Sequence, residues 1–131
     1  MKNVESVKAI YEAFGRGDVA TILDMLDDAV EWETAVPVAD VPWLQTRRGK
    51  GNITGFFQSM APLEITRFEP HTLFDGGDRV FVLIAFEANA GGRHYSFPNN
   101  GHLWQFNAAG KVVKYDHVTD TAQMIRMAKG E

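Results

Sequence analysis

Apolar residues recur along this chain with two different periods, and the change of period separates helices from strands. Spacings of three and four residues predict an amphipathic helix over positions 4–14, which Gly15 and Gly17 end. Asp18 is placed to cap a second, shorter helix with Leu26 on its inner face. A third helical pattern carries four apolar residues on one face: Ile53, Phe56, Phe57 and Met60. Three helices are therefore expected in the first half of the chain.

A two-residue period predicts strands in the other segments. In a short strand at 29–34, Val30 and Trp32 share one face, and Glu31 and Glu33 share the other. The second half of the chain is predicted to form four more strands and then a short helix, with the strands at 63–74, 79–90, 93–106 and 111–117. Helices gathered before a run of antiparallel strands indicate an α+β domain.

The last two strands form a predicted β-hairpin whose turn spans Asn107 to Gly110. Their inner faces carry, in chain order, His102, Trp104, Phe106, Val113, Tyr115 and His117. An inner face normally holds apolar residues, so a polar side chain there needs a partner or a function. The two histidines are therefore candidates for a functional site. The alternative is that they are core residues satisfied by Tyr115 or Asn100.

Between the first strand and the third helix, Pro37 and Pro42 discourage regular structure and predict a loop over positions 35–48. A loop of this length in a small domain is typical of a functional lid. Its centre carries Trp43 and Leu44, which are too apolar to be expected at a solvent-exposed loop tip without a role. They are expected to cover an opening or to pack onto the core.

Composition narrows the classes of function. The chain has 131 residues and 45% hydrophobic content, which indicates a single domain, residues 1–131, with a sizeable core. Its net charge of −4 disfavours non-specific binding to nucleic acid. Cysteine is absent, and no apolar leader or membrane-length run is present, so we expect a cytoplasmic protein that is not bound to a membrane.

Four local patterns lie at residues 13–18, 27–33, 48–53 and 106–113. In this order they resemble the nuclear-transport-factor-2-like superfamily, especially its ketosteroid-isomerase-like and SnoaL-like polyketide-cyclase members. The resemblance implies a cone-shaped α+β barrel. In that fold a strongly bent, mixed or antiparallel sheet wraps around three N-terminal helices, and a short C-terminal helix follows.

The resemblance also implies roles for individual residues. Glu33 falls where ketosteroid isomerases place their general base, and His102 falls where they place the acid that stabilises the oxyanion. In SnoaL-like cyclases the acid–base groups of the cavity fall near His102 and His117. Ile10 stands where the isomerases carry a tyrosine, and Tyr11 lies one position further on.

Apart from the resemblance, the chemistry of carboxylate and histidine side chains suits proton transfer without a cofactor. Removing a proton next to a carbonyl requires a base within hydrogen-bond reach and a donor at the developing enolate oxygen. An apolar pocket raises the pKa of a carboxyl group toward the range of a working base, and histidine donates or relays protons near neutral pH. The leading hypothesis is an isomerase, cyclase or lyase acting on an apolar carbonyl compound, with no cofactor and no metal. A metal held by the histidines with Glu33 or Asp116 is a weaker alternative, since no short ligand motif is present.

The pocket walls are expected to come from aromatic side chains on several elements. These substrate-binding candidates are Tyr11, Trp32, Trp43, Phe57, Trp104 and Tyr115. A non-catalytic binder of apolar small molecules would use the same walls, and a structural dimerisation module is a third hypothesis. The sequence leaves open whether the protein is an enzyme.

The apolar run from Val80 to Phe86 predicts a homodimer formed through the sheet. Alternate residues of this strand face opposite sides, so the helices of one chain cover only one of them. The other side, joined by Leu103 or Val112 from neighbouring strands, would expose an apolar patch that monomers rarely tolerate. A two-fold partner presenting the same surface would cover this patch.

Overall fold

The structure is a computed structural model that describes residues 2–131, and this range forms four α-helices and six strands. The helices are α1 (Lys2–Gly15), α2 (Val19–Asp24), α3 (Thr54–Ser59) and α4 (Thr121–Lys129). The strands are β1 (Leu26–Trp32), β2 (Arg47–Arg48), β3 (Glu64–Asp75), β4 (Arg79–Ala90), β5 (Arg93–Phe106) and β6 (Val112–Val118). Within this range, no helix has the length and apolar character needed to cross a membrane. The predicted α+β class is confirmed.

Side-chain caps begin two of the helices, and the cap at Asp18 was predicted from the sequence. The Asp18 carboxylate accepts a hydrogen bond from the backbone N–H of Thr21 at 3.1 Å, and Asp120 accepts one from Gln123 at 3.0 Å. The second helix is shorter than expected, and Leu26 opens β1 instead of lying on that helix. A buried leucine fits either element, so the apolar pattern alone did not place the boundary.

The strands form one curled sheet in the order β2-β1-β6-β5-β4-β3. Every neighbouring pair is antiparallel except β1 and β6, which are parallel, so the sheet is mixed. Strands β3 and β5 run through Pro70 and Pro98 with register shifts nearby. Such irregularities bend a strand. The concave inner face packs on the helices, and buried residues from both layers make one core.

The pairing of β5 with β6 brings the candidate residues together. His102 lies opposite His117, and Trp104 lies opposite Tyr115. Side chains at such cross-strand positions are neighbours on the same face of a sheet. The predicted hairpin is therefore present, and its register sets the centre of the candidate site.

The alternation along β6 is interrupted near the turn. Phe106 pairs with Val112 after a register shift between the two strands. Val112 is fully buried, whereas Val113 is only partly buried. The prediction that Val113 faces inward and Val112 outward is wrong, because one shifted residue reverses which side chains face the core.

The outer face of the sheet carries apolar residues that the described part of the chain leaves partly uncovered. Cross-strand pairing sets five of them side by side, and we call them the outer apolar patch: Phe74, Phe81, Leu83, Leu103 and Val118. Phe74 and Val118 are 51% and 55% exposed, and the other three are partly buried. On the opposite face of β4, Val80, Val82 and Ile84 are fully buried. The helices of this chain thus cover only the inner face of β4 completely.

Candidate active site

A cavity lies between the inner face of the sheet and helices α1, α3 and α4. It holds about 620 Å³ of space free of protein atoms, including its open mouth. Eight of the nine site residues predicted from the sequence line it: Tyr11, Trp32, Trp43, Phe57, His102, Trp104, Tyr115 and His117. The ninth, Glu33, contacts His117 from behind and does not reach the cavity wall.

A chain of hydrogen bonds orients His102 on the cavity wall. The hydroxyl oxygen of Tyr11 lies 2.9 Å from Nδ1 of His102, and Nε1 of Trp104 donates to the same oxygen at 2.9 Å. An indole nitrogen only donates, so the Tyr11 oxygen accepts that bond and keeps its own proton to donate. Within the described chain, Nδ1 of His102 is the acceptor that this hydroxyl reaches. We therefore assign Nδ1 of His102 as the acceptor, because this arrangement gives the buried Tyr11 proton a partner.

His102 is held in its neutral form. Burial lowers the pKa of His102 well below the usual histidine value, and a proton on nearby His117 lowers it further whenever that ring is charged. A neutral imidazole carries one proton, and since Nδ1 is the acceptor, that proton lies on Nε2. In the described range Nε2 of His102 has no partner. His102 thus offers a free N–H donor to a ligand oxygen.

Tyr11 brings this hydroxyl from α1, one position later than the isomerase pattern implies. Ile10 and Tyr11 both line the cavity, and the Tyr11 ring packs against Phe68 with a centroid distance of 5.7 Å. Burial raises the pKa of Tyr11, so the hydroxyl keeps its proton at neutral pH. The sequence does not specify how α1 is rotated about its axis. In the structure this rotation directs both position 10 and position 11 toward the sheet.

His117 faces His102 and is paired with a buried carboxylate. The two imidazole centroids are 4.7 Å apart. Nδ1 of His117 lies 2.5 Å from Oε2 of Glu33, and the backbone N–H of His117 donates to Oε1 at 2.7 Å. An ionised carboxylate only accepts, so Nδ1 of His117 carries a proton. In the neutral imidazole, Nε2 then has a free lone pair.

A tyrosine hydroxyl contacts that lone pair. The Tyr115 oxygen lies 3.3 Å from Nε2 of His117. Burial raises the pKa of Tyr115 well above its usual value, and the charge of Glu33 raises it further. The hydroxyl therefore stays protonated and donates to His117. At 3.3 Å this bond is long, so a ligand group can replace it.

Glu33 reaches His117 through an unusual backbone conformation. It is the one non-glycine residue with positive φ, +57°, in the described chain. The backbone N–H of Glu33 donates to the carbonyl of Tyr115 at 2.8 Å, and the Thr46 hydroxyl donates to the backbone carbonyl of Glu33 at 2.6 Å. A left-handed non-glycine residue costs about 1–3 kcal/mol and is concentrated at functional sites. The prediction that Glu33 lies on the same face as Glu31 is wrong, because this turn directs the carboxylate back inside, where it is 2% exposed.

The loop after β1 closes one side of the cavity. Pro42–Leu44 form a short 3-10 turn, and Trp43 and Leu44 are buried. Nε1 of Trp43 donates to the sulfur of Met124 on α4 at 3.3 Å. Both side chains line the cavity. Sequence reasoning missed Met124, because its apolar spacing on α4 indicated packing and nothing more specific.

Three buried side-chain atoms in the described range have no hydrogen-bond partner: Trp32 Nε1, Asn100 Oδ1 and Thr119 Oγ1. Trp32 and Asn100 both line the cavity. The same range contains no group of three or more metal-ligating side chains. Asp116, considered above as a metal ligand, accepts a hydrogen bond from the backbone N–H of Ala35 at 3.0 Å.

Comparison with solved structures places the fold. An NTF2-like protein of unknown function from Burkholderia pseudomallei is 27% identical over 98% of both chains, with a TM-score of 0.84. A putative isomerase from Rhodopseudomonas palustris is 20% identical over 100% of this chain and 98% of its own, with a TM-score of 0.75. A putative polyketide cyclase from Xanthomonas campestris is 20% identical over 97% and 96%, with a TM-score of 0.71. At 20% identity the last two show the fold alone.

No curated protein matches this chain. A family model does match it, that of the SnoaL-like domain, over residues 7–115. That span contains β5, β6 up to Tyr115, the part of α1 from Val7 onward, Glu33 and the loop that carries Trp43. The chain therefore belongs to the SnoaL-like domain family and has the NTF2-like fold.

Proposed function

We propose that this protein is an enzyme of the isomerase, cyclase or lyase type that moves a proton on an apolar carbonyl compound. The observation that carries the proposal is a pair of facing imidazoles with opposite hydrogen-bond roles in one apolar cavity. His102 presents an N–H donor, and His117 presents a lone pair. A carbonyl oxygen and a hydrogen on the adjacent carbon are separated by few bonds. A donor and a base with ring centroids 4.7 Å apart suit that arrangement.

His117 is the general base in this proposal. The C–H bond next to the carbonyl breaks, its proton passes to Nε2 of His117, and the electron pair forms an enolate. Glu33 stabilises the resulting imidazolium, because its carboxylate already accepts from Nδ1. The sequence assigned the role of base to Glu33. The intervening imidazole makes Glu33 a positioning residue instead, since both of its oxygens are occupied by His117.

His102 is the oxyanion donor in this proposal, the role assigned to it from the sequence. Its Nε2–H faces the oxygen on which negative charge develops. A neutral imidazole is suited to this task, since it donates a hydrogen bond without a full charge that must be buried. The Tyr11 hydroxyl holds the ring in the required tautomer. The proton then returns from His117 to another atom of the enolate, which completes an isomerisation with no cofactor.

The aromatic walls favour a flat, apolar ring compound as the substrate. Trp32, Trp104 and Tyr115 pack against one another, with ring centroids between 4.2 and 6.0 Å apart. Flat faces of this kind contact a planar ring better than a flexible chain. These walls equally support the second candidate function, a non-catalytic binder of apolar small molecules. A binder requires the walls but has no use for a donor and a base that face each other.

The test follows α-proton exchange in a simple ring ketone. The protein is mixed with 1-tetralone in D2O, and loss of the α-CH2 signal is measured by 1H NMR against a control with free imidazole at the same concentration. We expect exchange at least roughly a hundredfold faster than in the control. Tryptophan fluorescence quenching measures binding of the same ketone independently. Binding without faster exchange would contradict the enzyme and leave the binder.

A further inference from the structure

We propose that Asn100 is a specificity-determining residue that selects ring ketones with a hydroxyl group across the ring from the reacting carbonyl. This inference rests on the proposed function, since it fixes where the carbonyl lies. Asn100 lines the cavity, is 4% exposed, and has an Oδ1 atom with no hydrogen-bond partner among residues 2–131. Buried side-chain amides in native proteins almost always find a partner. A bound ligand can supply the one missing here.

The position of Asn100 defines where that ligand group lies. Asn100 and His102 are two residues apart on β5, so both face the cavity at a spacing of roughly 6.6 Å along the strand. A rigid ring whose carbonyl oxygen meets His102 therefore places its opposite edge near Asn100. An amide offers both an acceptor oxygen and a donor NH2. A hydroxyl group, which also donates and accepts, is the complementary partner.

In the described part of the chain, no side chain donates a hydrogen bond to Oδ1 of Asn100. Asn100 pairs with Ile84 on β4, which is apolar and fully buried. An unpartnered amide oxygen on the cavity lining indicates a place for a polar ligand group beside an otherwise apolar wall.

The experiment compares ligands that differ in one substituent. Dissociation constants are measured by tryptophan fluorescence for 1-tetralone, 6-hydroxy-1-tetralone and 6-methoxy-1-tetralone. We expect the wild-type protein to bind the hydroxy ketone roughly tenfold more tightly than 1-tetralone. The methoxy ketone, which cannot donate to Oδ1, should lose this advantage. Equal affinity of the wild-type protein for 1-tetralone and its hydroxy derivative would overturn the inference.

A variant separates this inference from the proposed function. Asn100→Leu keeps the side-chain size and removes the amide, so it should bind 1-tetralone and 6-hydroxy-1-tetralone equally. A hydroxyl preference that survives in Asn100→Leu would also overturn the inference. If the protein prefers the hydroxy ketone but does not accelerate proton exchange in 1-tetralone, the role of Asn100 is supported and the proposed enzyme activity is contradicted.

Discussion

Replacing His117 with Gln is expected to slow α-proton exchange in 1-tetralone by roughly 10²- to 10⁴-fold, the contribution typical of a positioned general base. Gln keeps a similar volume and can still bond to Glu33, so the cavity should still form. It has no nitrogen lone pair that takes a proton near neutral pH. Affinity for the ketone should change little, because the aromatic walls stay in place.

His71→Gln is the matched control. His71 is exposed, and its ring bonds to Thr72 and to the carbonyl of Pro98, outside the cavity. Its exchange rate should equal that of the wild-type protein. The exchange rate of Glu33→Gln should lie between those of His71→Gln and His117→Gln. Its rate at saturating ketone should be below that of wild type while its dissociation constant is unchanged, as expected of a positioning residue. Equal exchange rates in wild type and His117→Gln would contradict the role of His117 as base.

A second large effect is expected from the outer apolar patch, through which we propose that two chains form a homodimer. Phe74 and Val118 are more than half exposed, and the Phe74 ring lies beside Phe81 with a centroid distance of 6.1 Å. Covering this surface requires a self-complementary partner, which a two-fold axis provides. The expected interface buries roughly 1,200 Å² or more in total. In Phe74→Asp, a carboxylate would have to be buried there, at a cost of several kcal/mol.

Light scattering after size-exclusion chromatography measures this effect. Wild type at micromolar concentration should have about twice the 14.6 kDa mass of one chain, and Phe74→Asp should have the single mass. Ala61→Asp is the control, because Ala61 is exposed and follows α3, away from the outer face of the sheet. It should remain dimeric. A wild-type protein of single mass would contradict the dimer.

The sequence predicted the hairpin and its neighbours well because strand alternation and turn chemistry are local signals. The limits of β4 were predicted at 79–90 and observed as Arg79–Ala90. The turn after Phe106 fixed the pairing that places His102 opposite His117. A short turn leaves few possible registers, so local residues were enough to bring these two histidines together.

The features that sequence reasoning missed depend on contacts between distant segments. The left-handed backbone of Glu33 is supported by Tyr115 and Thr46, neither of which is its neighbour in sequence. Alternation assumes extended backbone throughout, so it sent this carboxylate to the wrong face. From the sequence, Asn100 was considered only as a hydrogen-bond partner of the two histidines. Only the folded sheet shows that its amide lines the cavity.

The central claim is that the neutral forms of His102 and His117 are opposite tautomers, and long-range 1H–15N NMR of the histidine rings tests it most directly. His102 should carry its proton on Nε2, and His117 should carry its proton on Nδ1. Because burial lowers the pKa of His102, its ring should remain neutral at about pH 6, where exposed histidines are largely protonated. Spectra of His102→Gln and His117→Gln assign the signals. A His102 ring protonated on both nitrogens at that pH, or a neutral His117 ring whose single proton lies on Nε2, would contradict the account.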